Sequence, residues 1–317
     1  MDRSSLIEKA VSRLSGSASA HPRSAEPVPE EARQGSPMQE QAASRNAPPS
    51  DPSPRSTRRP NGNAEVQLDL ANLRRRGFVM PDGERSAVAE EFRMIKRPLL
   101  ANAFGKAASL VENGNMIMVT SAHAGEGKTF TAINLAISIA MEMEKTVLLV
   151  DADVGRANVH KVLGTPEGPG LIDLLLDDQL DVGDVLLRTS IPKLRLIPMG
   201  RYHPHATELL AGADMLRLTK ELATRYPDRV VIFDAPPLLI TSEAVVLAGL
   251  MGQIVFVVQS ERTSQSVVRD ALELLDQSKP IGLVLNKTVK AIGSYGYGQG
   301  YGYGYGYGYG YSSGGKE

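Results

Sequence analysis

Cysteine is absent from the 317-residue sequence. Its absence excludes a disulfide framework, thiolate chemistry and a cysteine-ligated metal site. The formal net charge is only −1, so no general attraction to nucleic acid is expected. No apolar run reaches the roughly 18 residues that a membrane-spanning helix needs, and no secretory signal is recognisable at the N-terminus. We therefore expect a soluble, cytoplasmic protein that binds no nucleic acid.

The composition divides the chain into four regions. Residues 1–14 are predicted to hold a short amphipathic helix, with Ser5 and Glu8 as a capping-box pair; so short a helix either docks or forms only in part. Residues 15–63 contain no Leu, Ile or Phe and are expected to be a disordered linker. Residues 64–292 have the size of one α/β domain. Residues 293–317 are expected to be a flexible tyrosine- and glycine-rich tail.

The tail concentrates tyrosine in one short segment. Eight of the ten tyrosines of the chain alternate with glycine between residues 294 and 311. Such an alternation has no second apolar face to bury, so we expect it to stay mobile. It is either adhesive low-complexity sequence or a cluster of phosphate acceptors. The candidate phosphoacceptors are Tyr295, Tyr297, Tyr301, Tyr303, Tyr305, Tyr307, Tyr309 and Tyr311.

Short apolar runs rich in β-branched residues alternate with helical stretches in the central region. The predicted strands are 116–120, 146–150, 194–198, 230–233, 254–258 and 281–285. Most are apolar throughout, which is typical of parallel strands covered on both faces by crossover helices. Residues 129–143 and 264–277 are two of the predicted helices. The pattern predicts an α/β fold with a doubly wound, mostly parallel sheet.

A glycine-rich loop connects the first of these strands to a helix. This order of strand, loop and helix is the context that a phosphate-binding loop requires. Lys128 would bind the β- and γ-phosphates and the Thr129 hydroxyl would bind Mg²⁺. Ala122 stands where the usual pattern has its first glycine. The predicted nucleotide-binding residues are Ala124, Gly125, Glu126, Gly127, Lys128, Thr129 and Phe130.

Two further predicted strands end in carboxylates. Asp151 and Asp153 follow one strand and Asp234 follows another, so all three are expected at the sheet edge that carries the phosphate loop. Asp153 and Asp234, with Thr129, are the candidate Mg²⁺ ligands, since Mg²⁺ takes one or two carboxylates and keeps several waters. Asp151 is then available to orient or deprotonate an attacking hydroxyl. The roles of Asp151 and Asp153 are interchangeable at this level, and Lys128, Asp151 and Asp153 form the candidate catalytic set.

Four features together resemble the bacterial tyrosine kinases of exopolysaccharide synthesis and export. They are the loop at residues 125–129, the acidic motif at 147–156, the motif at 233–237 and the tyrosine-rich terminus. The subgroup resembled is the tyrosine autokinase of exosortase-associated polysaccharide clusters. The resemblance implies a P-loop NTPase of the deviant Walker A class, with residues 64–292 as the kinase domain. It also implies ATP and Mg²⁺ as cofactors and phosphorylation of the tail, in trans within a ring of identical subunits.

The same resemblance gives a meaning to one helical segment. Members of the family carry Glu, Arg and Arg at three-residue spacing on a helix that packs subunits into a ring. Here Glu90 and Arg93 match and Lys96 takes the third place, with Arg97 beside it; the alternative is an ordinary intrahelical ion pair. The partners implied are a separate inner-membrane polysaccharide co-polymerase, which would hold the kinase at the inner face of the cytoplasmic membrane, and a tyrosine phosphatase.

Two further positions depart from related patterns, and two other functions remain possible. Gly155 replaces the first arginine usual in the second acidic motif, while Arg156 is kept. Partitioning-type P-loop ATPases carry an additional lysine where this sequence has His123, which counts against that function. The other alternative is a non-catalytic scaffold that ATP switches between assembly states.

Overall fold

A parallel sheet forms the centre of the computed structural model, which describes residues 65–82, 86–106 and 108–288. The strands are β1 (Glu65–Val66), β2 (Met116–Ser121), β3 (Thr146–Asp151), β4 (Leu187–Thr189), β5 (Leu194–Ile197), β6 (Arg229–Asp234), β7 (Gln253–Gln259) and β8 (Ile281–Asn286). Their order across the sheet is β1-β4-β5-β3-β6-β2-β7-β8. Every pairing is parallel except that of β4 with β5.

Helices cover both faces of this sheet. The longer ones are α2 (Ala87–Phe104), α3 (Lys128–Ala140), α8 (Ala213–Thr224), α9 (Ser242–Leu250) and α10 (Gln265–Leu272). The shorter ones are α1 (Leu70–Arg75), α4 (Val159–Leu163), α5 (Leu171–Leu176), α6 (Val182–Val185) and α7 (Ala206–Leu210). No helix within the described residues is long and apolar enough to cross a membrane.

The side chains of β2 show why the sheet is buried on both faces. Met116 and Met118 point into a core shared with α8, α9 and α10, whereas Ile117 and Val119 point into a core shared with α2 and α3. All four are fully buried, because successive side chains of a strand point to opposite faces. The predicted α/β fold with a doubly wound, mostly parallel sheet is therefore confirmed.

The six predicted strands are all present, and two short ones were missed. β1 and β4 lie together at one edge of the sheet and contain only two and three residues. Such short strands give no period-two pattern to detect. The predicted helix 264–277 is also shorter than expected and spans Gln265–Leu272.

Candidate functional site

The phosphate loop follows β2 directly and ends where α3 begins at Lys128. Gly125 and Gly127 have φ angles of +86° and +106°, a left-handed conformation that residues with a Cβ adopt only under strain. A Cβ on Gly127 would also collide with the side-chain amide of Asn286. These glycines are therefore required by the backbone path of the loop.

The end of β8 braces the same loop, which the sequence did not suggest. The Asn286 side-chain amide donates to the Glu126 carbonyl oxygen at 2.8 Å, and Lys287 Nζ donates to the Gly125 carbonyl oxygen at 2.6 Å. The Glu126 carboxylate accepts hydrogen bonds from the His123 backbone N–H at 2.8 Å and from the Thr263 hydroxyl. The Glu126 side chain therefore holds the loop in shape and is turned away from the cleft.

The three predicted carboxylates do meet at the loop. Asp151 and Asp234 are register partners at the ends of the neighbouring strands β3 and β6. Asp153 lies two residues further along, with its Oδ2 3.6 Å from Lys128 Nζ. Lys128, Asp151, Asp153 and Asp234 are all buried. Their positions follow from the parallel topology, which brings the carboxyl ends of the strands to one edge.

Asp151 is fixed by backbone donors. Its Oδ2 accepts hydrogen bonds from the N–H groups of Val159 at 3.0 Å and Asn158 at 3.2 Å. Burial raises the pKa of Asp151 to about 7, and the hydrogen bond from Val159 lowers it in part. A carboxylate that titrates near neutral pH is suited to accept a proton from a substrate.

Asp234 is the most strongly perturbed carboxylate of the site. It is fully buried, and burial together with the nearby charge of Asp151 raises the pKa of Asp234 to about 8. Thr129 and Lys128 lie close enough to lower this pKa in part. Neither Asp234 oxygen, however, has a well-formed hydrogen bond among the described residues. Two buried oxygens without partners would be satisfied by a bound cation or its waters, because buried polar groups are normally paired.

The phosphate loop and Asp153 line a cleft of about 510 Å³, whereas Asp151 and Asp234 lie buried behind its surface. Several of its walls come from distant segments that the sequence analysis did not select. Arg76 is one of them, and its Nη1 donates to the Val162 carbonyl oxygen at 3.0 Å. The lining residues not predicted are Arg76, Phe78, Asn158, Val162, Pro237, Ile240, Thr241 and Lys287. The cleft has the size and the charge distribution of a small-ligand site.

The residues predicted for an oligomer interface differ in their surroundings. Glu90 and Arg93 form an ion pair on the surface of α2, with Oε2 and Nη1 2.8 Å apart. Lys96 is buried, and its Nζ bonds the Ser138 carbonyl oxygen at 2.6 Å and Glu142 Oε1 at 2.7 Å. Lys96 thus stabilises the last turn of α3 inside the subunit, while Arg97 is the exposed cation beside it.

Replacing Lys96 and Arg93 one at a time distinguishes the buried environment of Lys96 from the surface environment of Arg93. We expect Lys96→Met to lower the free energy of unfolding by about 1–3 kcal/mol, because the Ser138 carbonyl loses its partner. Arg93→Ala removes only an exposed pair and is expected to cost about 0.5 kcal/mol or less. Urea unfolding of the two variants at a concentration where the protein is monomeric measures both values. Equal destabilisation would contradict the assignment of Lys96 to the core.

Four predictions concern parts of the chain outside the described residues. They are the amphipathic helix at residues 1–14, the linker at 15–63, the tail at 293–317 and the eight candidate phosphoacceptor tyrosines within it. The described chain ends at Thr288, and the residue before it, Lys287, lines the nucleotide cleft.

A strand ending in a phosphate loop, beside carboxylates on two neighbouring strands, defines a nucleotide-binding domain of the P-loop class. Accordingly, the family model for the CobQ/CobB/MinD/ParA nucleotide binding domain matches residues 117–293. This match covers more than half of the 317-residue chain.

Curated relatives and solved structures narrow the class. The chain is 31% identical to the tyrosine-protein kinase CpsD of Streptococcus agalactiae over 190 residues, which cover 58% of this chain and 80% of CpsD. It is 31% identical to the tyrosine-protein kinase YwqD of Bacillus subtilis over 215 residues, covering 67% of this chain and 86% of YwqD. The kinase domain of the Escherichia coli tyrosine kinase ETK superimposes with a TM-score of 0.55 at 25% identity, covering 74% and 93% of the two chains. The chimerical protein CapA2B2 gives a TM-score of 0.58 at 26% identity, with 71% and 93% covered.

The chain belongs to the bacterial tyrosine-protein kinases within this nucleotide-binding family. The predicted resemblance and the predicted enzyme class are both confirmed. The relatives named above are tyrosine kinases, so they do not support the partitioning-type ATPase that the sequence left as an alternative.

Proposed function

We propose that this kinase is an ATP- and Mg²⁺-dependent autokinase that phosphorylates the tyrosines of its own tail. The observation that carries the proposal is the position of Lys287, whose Nζ bonds the phosphate-loop carbonyl of Gly125 at 2.6 Å. The tail starts only a few residues later. The described chain therefore ends beside the groups that would bind ATP, and the eight tyrosines follow in the sequence.

The carboxylates of the site fit a divalent cation. Asp234 has two buried oxygens that make no well-formed hydrogen bond within the described part of the chain, and Thr129 lies close to it. Asp153 and Thr129 both line the nucleotide cleft. Mg²⁺ takes only one or two carboxylates from a protein and completes its shell with phosphate and water. Thr129, Asp153 and Asp234 would hold Mg²⁺, which when bound would neutralise phosphate charge.

The remaining groups account for the transfer. Lys128 would bind the phosphates of ATP as a fixed positive charge. Asp151, with a pKa of about 7, would accept the proton of the tyrosine hydroxyl while the tyrosine oxygen forms its bond to the γ-phosphorus. The bond from the γ-phosphorus to the bridging oxygen breaks and ADP leaves with that oxygen. Asp153 contacts Lys128 at 3.6 Å and would keep its ammonium in place.

Transfer to a neighbouring subunit is compatible with the dimensions of the tail. A flexible segment of 18 residues spans roughly 20–25 Å, and a domain of about 230 residues has a radius of gyration of about 17 Å. A ring of identical subunits, packed through Glu90 and Arg93 with Arg97 or Lys96, would present each tail to the next site at high effective concentration. Eight phosphates would add about −12 to −16 charges at neutral pH, so modification would weaken the ring.

The proposal extends to the cellular setting. As an exopolysaccharide-associated kinase of the exosortase type, the protein would regulate polysaccharide synthesis or export from the cytoplasmic side of the membrane. A separate inner-membrane co-polymerase would activate it and a tyrosine phosphatase would reset it. The support for these partners is the membership of the chain in the bacterial tyrosine-protein kinases.

Incubation with labelled ATP, followed by mapping of the modified residues, tests the proposal. We expect label on several of the eight tail tyrosines, and none when all eight are replaced by phenylalanine. A protein that binds ATP without transferring phosphate would instead be a scaffold switched by nucleotide. Label confined to Tyr202 or Tyr226, the two tyrosines outside the tail, would exclude the tail as the acceptor.

A further inference from the structure

A second cleft opens beside the nucleotide cleft. It has a volume of about 800 Å³ and lies between the segment after β3 and the segment after β5. Ala157 and His160 line it, whereas Asn158 lines the nucleotide cleft. The N–H of Asn158 also bonds Asp151 Oδ2 at 3.2 Å. One short segment therefore separates the second cleft from the carboxylate proposed to accept the proton.

One wall of this second cleft is held rigidly by Asp173. Its buried carboxylate accepts hydrogen bonds from the N–H groups of Gly170 at 2.9 Å and Arg201 at 3.1 Å. It also accepts one from Arg201 Nε at 2.5 Å. Gly200, at φ +94°, leaves no room for a Cβ between Asp173 and Gly170. The two segments that form the wall are thus fixed against each other before any ligand arrives.

The surface of the second cleft suits an aromatic ring. Pro169, Pro198, Met199 and Tyr202 line it, and Tyr202 is 81% exposed. Proline, methionine and tyrosine side chains are good contact surfaces for a second aromatic ring. Such an arrangement favours a ligand with a large, flat apolar group.

The second cleft also offers a polar partner for a hydroxyl. His160 Nε2 is buried and has no hydrogen-bond partner among the residues that the structure describes. Glu167 Oε1 lies 3.8 Å from it, beyond hydrogen-bonding distance. The Glu167 side chain is 89% exposed, so it can rotate to admit a ligand. A phenolic hydroxyl both donates and accepts, and pairs with either tautomer of the imidazole.

The charges of the second cleft disfavour an anion. Glu167 and Asp177 line it, while the positive charge of Arg201 is balanced by its ion pair with Asp173. The side chains that face the opening therefore carry no excess positive charge to attract phosphate. The tail is complementary in this respect, since residues 294–311 contain no charged side chain.

We propose that the second cleft binds an unmodified tyrosine of the acceptor segment while a neighbouring tyrosine occupies the catalytic site. This inference rests on the proposed phosphorylation of the tail. Alternate residues of an extended chain are about 6.6–6.8 Å apart on the same side, so the tyrosine-glycine repeat supplies a ring at regular intervals. A tyrosine already phosphorylated in the catalytic site would meet the carboxylates of Glu167 and Asp177 in the second cleft, so a modified segment is released.

Two acceptor peptides test the second cleft, used with the full-length protein whose eight tail tyrosines are replaced by phenylalanine. One peptide is Gly-Tyr-Gly-Tyr-Gly-Tyr-Gly and the other has alanine at the outer tyrosines. We expect Tyr202→Ala to raise the KM of the three-tyrosine peptide about tenfold, because the peptide loses one aromatic contact with the cleft. The same change should leave kcat, the KM of ATP and the KM of the one-tyrosine peptide unchanged. Tyr226→Ala, which replaces the other tyrosine outside the tail, is the matched control and should change none of them.

An equal effect of Tyr202→Ala on both peptides, or no effect on either, would overturn the second cleft as an acceptor subsite. If neither peptide is phosphorylated by the parent protein, the proposed kinase reaction on the tail sequence is at fault instead. Equilibrium binding of the three-tyrosine peptide then still decides the matter, since the cleft predicts tighter binding to the parent than to the Tyr202→Ala protein. A peptide with phosphotyrosine at the outer positions should bind more weakly, and Glu167→Gln should restore part of that loss.

Discussion

Lys128→Ala is expected to abolish detectable tyrosine phosphorylation, with a loss of about 10²- to 10³-fold. The Lys128 ammonium is buried at the start of α3 and lies 3.6 Å from Asp153 Oδ2. Its charge would be placed against the transferring phosphate, where one fixed donor in a site shielded from water is worth several kcal/mol. Alanine is well tolerated in the first turn of a helix, so the fold should survive.

The matched control for this loss is Lys220→Ala, which removes an exposed lysine from α8. The control should retain full activity. Circular dichroism and thermal unfolding establish that both variants are folded, and label transferred from ATP measures activity. Undiminished phosphotransfer by a folded Lys128→Ala protein would exclude the phosphate loop from the mechanism.

Asp234→Asn is expected to remove activity and, at alkaline pH, to stabilise the nucleotide-free protein. Burial raises the pKa of Asp234 from 3.8 to about 8, so the folded state favours the protonated carboxyl. The contribution of Asp234 to stability is thus complete below about pH 4 and is lost as the pH rises through about 8. Asparagine stays neutral throughout, and at pH 9 it should raise the free energy of unfolding by about 1–3 kcal/mol.

Urea unfolding of the nucleotide-free protein between pH 5 and pH 9 tests the sign of this effect. The difference between Asp234→Asn and the parent should grow with pH. Asp270→Asn, an exposed change on α10, should give a constant difference near zero. An Asp234→Asn protein that is less stable than the parent at pH 9 would show that the carboxylate is paired and ionised in the folded state.

The predictable parts of the site are the residues whose positions follow from the carboxyl ends of the parallel strands. Asp234 ends an apolar run typical of a buried parallel strand, and Lys128 follows another such run through the phosphate loop, so their meeting at one sheet edge follows from the topology. Asn286 and Arg76 were not predictable, because an amide that braces the phosphate loop and a guanidinium that lines the cleft have no local pattern. For Lys96 a local pattern was present but misleading. Its regular spacing from Glu90 predicted an interface residue, whereas the packing of α2 against α3 buries it inside the subunit.

The most direct measurement of the central claim is label transfer from a protein that lacks the acceptor tyrosines to a protein that lacks the catalytic lysine. One protein carries Lys128→Ala with an intact tail; the other is catalytically intact but has phenylalanine at the eight tail tyrosines. We predict that mixing them with labelled ATP places label on the tail tyrosines of the Lys128→Ala protein. An unlabelled tail, despite demonstrated assembly of the two proteins and normal self-labelling by the unmodified protein, would contradict phosphorylation between subunits.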